Sequence, residues 1–90
     1  MVKGTLVLKS DIGLHARPSV RITEIARANA ATTITVENPE TGMKVDAKSL
    51  LSLLSLVVEG GKSLNLVVQG GDEESVYRAI ADVIENFTVD

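Results

Sequence analysis

From Val2 to Lys9 apolar and polar side chains alternate, with Leu6 and Leu8 two apart, the period of a strand packed on one side. The period then lengthens. Between Ala16 and about Asn29, Ile22, Ile25 and Ala26 share one stripe while Arg17, Arg21 and Glu24 share the opposite one, which predicts an amphipathic helix. Pro18 suits the first turn of that helix, where its missing N–H costs nothing. Residues Thr32 to Glu37 are β-branched and alternating, and Asn38-Pro39-Glu40-Thr41-Gly42 supplies turn chemistry before Met43 to Asp46, so the pair reads as a hairpin. Ser49 to Val58 spaces Leu50, Leu51, Leu53, Leu54 and Leu56 as a short helix seated on a core. Ser63 to Gln69 alternates again as a fourth strand. After Gly70-Gly71, Asp72 is a good N-cap, Glu73 and Glu74 complement the positive end of a helix, and Val76, Ile80, Val83, Ile84 and Phe87 mark its buried stripe. The predicted order is β-α-β-β-α-β-α. It makes an α+β fold: a four-stranded, mainly antiparallel sheet with three helices on one face and the other face wet.

Composition narrows the class. The 90 residues form one domain, 1–90, with 44% hydrophobic and 23% charged residues and a mean hydropathy of +0.20, apolar enough to bury a modest core. Without cysteine there is neither a disulfide framework nor a thiolate metal site. The longest apolar run, Leu50 to Val58, is interrupted by Ser52 and Ser55 and falls far short of the roughly 20 residues of a membrane span. Met1 to Thr5 begins no signal peptide, so a cytoplasmic, monomeric protein is expected. The net charge of −3 is unevenly placed: residues 1–31 carry five Lys/Arg against Asp11 and Glu24, while residues 72–90 carry Arg78 against six carboxylates. A basic patch of this kind can steer an acidic partner.

One residue, His15, can act as an uncharged nucleophile near neutral pH, and it is the only histidine. It stands in Gly13-Leu14-His15-Ala16-Arg17-Pro18, between a glycine-containing loop and a helix start, where unpaired N–H groups and the helix dipole favour an anion. Arg17 adds a planar cation suited to two phosphate oxygens, and Arg21 lies one turn on. A histidine ahead of a helix also fits a plain capping or surface role. Imidazole is nevertheless a competent phosphoryl acceptor, and the charge of a phosphoryl group, about −1.5 to −2, is what such a setting would hold. One histidine without cysteine supports no metal site and no cofactor is implied; a Ser-His-Asp triad has equally little support.

With these residues in view, the sequence resembles the histidine-containing phosphocarrier protein (HPr) family of the bacterial phosphoenolpyruvate-dependent phosphotransferase system. The resemblance covers essentially the whole chain. It rests on Gly13-Leu14-His15-Ala16-Arg17-Pro18, which looks like the family's active-site motif, and on Lys48-Ser49-Leu50-Leu51-Ser52-Leu53-Leu54-Ser55-Leu56, similar to its regulatory serine segment. It implies an open-faced β-sandwich and a non-enzymatic phosphoryl carrier. His15 would be phosphorylated on Nδ1 by Enzyme I and would pass the group to IIA domains of sugar permeases. Arg17 would stabilise the phosphate and Pro18 would start the helix. Ser49 would be the target of an HPr kinase/phosphorylase, and Leu50, Leu51 and Leu54 would form the apolar patch that partners grip, rimmed by the basic end around Arg17, Arg21 and Arg27.

Three departures accompany the resemblance. Val57 follows Ser55-Leu56 where many members have glycine, which implies a stiffer loop or a longer short helix; Ile12 replaces a small polar residue; and the hairpin loop is longer than usual. Branched residues near position 12 are similar to those of the nitrogen-related regulatory paralogue, whose phosphorylation state is read by binding partners. The β-α-β-β-α-β order would also suit an RNA-binding sheet, but that class stacks bases on strand aromatics. Here Tyr77 and Phe87 both fall in the last helix and the pI is about 5.0, so no nucleic-acid partner is expected. A hydrolase would need a second acid or base to activate water, and none is evident.

Overall fold

The computed structural model describes residues 1–9, 14 and 16–86. Four strands, β1 (Val2–Val7), β2 (Thr33–Asn38), β3 (Met43–Asp46) and β4 (Ser63–Gln69), form one sheet in the order β1-β4-β2-β3, and every neighbouring pair is antiparallel. The helices are α1 (Ala16–Arg27), α2 (Leu50–Ser55) and α3 (Glu73–Asn86). This is the predicted order and the predicted α+β open-faced sandwich.

Strand alternation decides which face the helices cover. Leu6 on β1, Ile34 and Val36 on β2 and Leu64, Leu66 and Val68 on β4 point to the same side and are buried with Ile22 and Ala26 of α1, Leu53 of α2 and Val76, Ile80 and Ile84 of α3. The opposite side carries Lys3, Thr5, Glu37, Lys44 and Asn65. Thr5 and Glu37 flank Asn65 in register, and a side-chain row runs across the strands. Thr5 Oγ1 donates to Asn65 Oδ1 at 2.7 Å, and Asn65 Nδ2 donates to Glu37 Oε1 at 2.8 Å. This is the wet face.

Element ends differ from the sequence reading for local reasons. β1 leaves the ladder after Val7, and Lys9 N–H instead donates to the carbonyl of Ile84 in α3, at 3.0 Å. α1 stops at Arg27 because Asn29 turns back on it: its Nδ2 donates to Ile25 O at 2.8 Å and its backbone N–H to Ala26 O. α2 is shorter than Ser49 to Val58. Ser49 is its N-cap, with Oγ accepting from Ser52 N–H at 3.3 Å, and Val57 ends it by taking φ +49°, the left-handed conformation that normally belongs to glycine. Val57 therefore shortens α2 rather than extending it. At the start of α3 the side chain that fastens the turn is Glu73, beside the expected cap Asp72. Its Oε2 accepts from Gly70 N–H at 2.9 Å and its Oε1 from the Met1 amino group at 2.7 Å. These bonds, the terminal ammonium first, hold the Glu73 carboxyl below its ordinary value. Phe87 lies outside the described residues.

Candidate functional site

His15 and the loop 10–13, including Ile12, lie outside the described residues, so the site is defined by what surrounds that position. Leu14, just before it, is buried, and its N–H donates to Val58 O at 2.8 Å. That bond fastens the entry to α1 against the segment that leaves α2. Pro18 is buried in the first turn of α1, as a proline can be where no N–H is required. Ala16 and Arg17 on the same turn are exposed. The residue between Leu14 and Ala16 is thus held between a buried anchor and an exposed helix start. Arg17 stands two positions along.

Beyond Arg17, the outer face of α1 is a shallow groove lined by Ala16, Arg17, Val20, Arg21 and Glu24, and Val20 is 40% exposed at its centre. Sequence reading did not single out Val20. Its place in a helix between two arginines, on the side away from Ile22 and Ala26, was the available signal. Arg21 pairs loosely with Glu24 at 3.8 Å, both side chains well exposed, a contact contributing little to stability.

Arg27 does not join Arg17 and Arg21 at one basic end. Ten residues of helix at 1.5 Å each put it about 15 Å from Arg17 along the axis. There its Nε–H donates to the carbonyl of Lys48 at 3.0 Å, beside Ser49. The basic residues therefore form a stripe along α1, with Arg17 at the histidine end and Arg27 at the serine end. Of the three leucines of the expected patch, Leu51 is 80% exposed, whereas Leu50 and Leu54 are half-buried. Leu53 and Leu56, on the inner side of α2, belong to the core. A six-residue helix with its cap and two inner leucines fixed has one outward ridge, and Leu51 heads it. Among the described residues, no helix is long and apolar enough to cross a membrane.

This arrangement of an exposed arginine one turn into a helix, a buried helix-starting proline and a capped serine helix coincides with sequence relationships. Residues 2–86 match the family described as "PTS HPr component phosphorylation site". The chain belongs to the HPr family. It is 36% identical to phosphocarrier protein HPr of Borreliella burgdorferi over 87 residues, covering 97% of this chain and 98% of the relative. It is 35% identical to the HPr-like protein Crh of Halalkalibacterium halodurans, covering 94% and 98%. The crystal structure of HPr from Thermoanaerobacter tengcongensis superimposes with a TM-score of 0.83 at 36% identity, over 93% of this chain and 91% of that one. The HPr architecture is thus shared in strand order, helix placement and extent. What sets this HPr-family chain apart is the left-handed valine at 57 and the tie between Arg27 and Lys48.

Proposed function

We propose that the chain is a phosphoryl carrier in which His15 takes the group from phosphorylated Enzyme I and hands it to a IIA domain of a sugar permease. The reading rests chiefly on the match to the family's phosphorylation-site description across residues 2–86, with the Gly13 to Pro18 motif falling at the start of α1. In each transfer a lone pair on the His15 ring attacks phosphorus in line with the departing nitrogen. The new N–P bond forms as the donor's N–P bond breaks, and the reverse logic delivers the group onward. Little covalent work is left to the chain beyond positioning and charge. Arg17, with its guanidinium in solvent two residues from the histidine, is suited to grip two oxygens of the travelling group.

Docking in this reading uses the outer side of α1 and α2. The groove around Val20, the exposed Leu51 and the arginine stripe give a small apolar centre with a cationic rim, which suits acidic partners. Ser49 is assigned as the regulatory residue, modified by an HPr kinase/phosphorylase. The carrier reading is tested by incubating the protein with Enzyme I and labelled phosphoenolpyruvate. An acid-labile phosphoprotein is expected, with no label on a folded His15→Ala variant. Acid-stable label, or label kept by His15→Ala, would refute it. A second reading takes weight from the near-equal similarity to Crh, namely a paralogue whose phosphorylation state is read by binding partners. Absence of onward transfer to any IIA domain, with normal acceptance from Enzyme I, would favour it.

A further inference from the structure

Ser49 sits where α1 and α2 are tied together from both sides. Arg27, the last residue of α1, donates its Nε–H to Lys48 O at 3.0 Å, and Lys48 reaches the other way, its ammonium donating to Ala30 O at 3.1 Å. Only Nε of Arg27 is used. Its two terminal amino groups have no hydrogen-bond partner among the described residues, and the side chain is exposed. The carbonyl that Arg27 grips belongs to the peptide leading into Ser49, and one Cα–Cα step is about 3.8 Å, so a group on Ser49 Oγ comes within reach of the free end of the guanidinium. The same junction contains a carboxylate: Asp46, whose Oδ1 accepts the Lys48 N–H at 2.9 Å. Without Arg27, a phosphate at position 49 would face that negative charge with no fixed partner.

We propose that Arg27 is the receiving residue for a phosphate on Ser49, its terminal amino groups clasping two phosphate oxygens while α1 and α2 stay joined. This rests on the reading of Ser49 as a modified residue. The modification moves the terminal phosphoryl group of a nucleoside triphosphate to Oγ. The Ser49 O–P bond forms, the phosphoanhydride bond breaks, the nucleoside diphosphate leaves, and the hydroxyl proton passes to the modifying enzyme. The clasp then has a functional consequence beyond the junction. It withdraws one cation from the arginine stripe that an acidic partner would meet, so the modification weakens docking by consuming Arg27 without rearranging the fold. Arg27 acts here as a positioning residue.

The test installs phosphoserine at position 49 during synthesis, so it needs no kinase and is independent of whether His15 carries phosphate. The second ionisation of the phosphate is then followed by ³¹P NMR. In the parent sequence its pKa is expected about one unit below that of Arg27→Gln, because a nearby guanidinium favours the dianion. Arg27→Lys should keep part of the shift, since an ammonium supplies charge without the fork. Arg21→Gln, which removes equal charge elsewhere on α1, should leave it unchanged. Equal pKa values for the parent and Arg27→Gln would overturn the proposal, as would an equal shift from Arg21→Gln. Should Arg27→Gln fail to fold, the Arg27 side-chain N–H resonances of the parent decide the matter: they must move on phosphorylation, and unmoved resonances refute the clasp.

Discussion

Replacing Val57 by glycine should stabilise the protein. Val57 holds φ +49°, where the Cβ of an L-residue crowds the following carbonyl, and branching at Cβ aggravates the clash. Such a residue costs roughly 1–3 kcal/mol, and valine belongs in the upper part of that range. Two terms oppose the gain. Glycine enlarges the unfolded ensemble, at about 0.4–1 kcal/mol. Some packing is also lost, but Val57 is 70% exposed, so this forfeits only about 0.5 kcal/mol of the roughly 1.5–3 that full burial would bring. The net is about 0.5–1 kcal/mol in favour of Val57→Gly, or roughly 2–8 °C in Tm for a domain this size. Urea denaturation of the parent, Val57→Gly, Val57→Asn and Val57→Ala measures it. Asparagine tolerates the left-handed region and should fall between the parent and glycine. Alanine trims the side chain but keeps a Cβ, so it separates strain from packing. If Val57→Gly is no more stable than Val57→Ala, the left-handed strain is not being relieved and the reasoning is wrong.

Other outcomes follow from single contacts. Arg17→Lys should slow phosphoryl acceptance from Enzyme I while leaving the urea midpoint almost unchanged, because the residue is exposed and its proposed role is the two-oxygen grip; unaltered transfer kinetics would count against that role. Ser19 and Thr23 bury hydroxyls without a hydrogen-bond partner on the inner side of α1, so Thr23→Val, which keeps the shape and removes the orphan oxygen, should gain about 1 kcal/mol in the same assay. Glu73 has a lowered pKa when folded, so its contribution is complete above the ordinary glutamate value and drains away as pH falls through the lowered one. Stability measured from neutral pH into acid should therefore fall more steeply for the parent than for Glu73→Gln.

How much of this was visible in the chain depends on the range of the interaction concerned. β4 runs from Ser63 to Gln69 as its alternation indicates, because a strand between two neighbours has its inward residues set by the pleat alone. The two long helices were legible from their apolar stripes for the same reason. The end of α2 was not: leucine spacing carries on through Leu56, and only the left-handed Val57, imposed by the path back to Leu14, stops the helix. The separation of Arg27 from Arg17 follows from helix rise and needed no coordinates. Its attachment to Lys48, 21 residues away, is a tertiary contact with no trace in local pattern. Likewise, Glu73 reads as an ordinary first-turn acid until the strand carrying Met1 is laid beside it.

The row from Thr5 through Asn65 to Glu37 also bears on the behaviour of the molecule in a crowded solution. Open sheet faces invite stacking, and a carrier that must collide repeatedly with larger proteins meets that hazard at every encounter. Here amide, hydroxyl and carboxylate satisfy one another across the strands, so another surface laid on them must first disrupt bonds already made. The domain is accordingly asymmetric in its sociability: collisions on the sheet side separate unproductively, and those that persist find the helices.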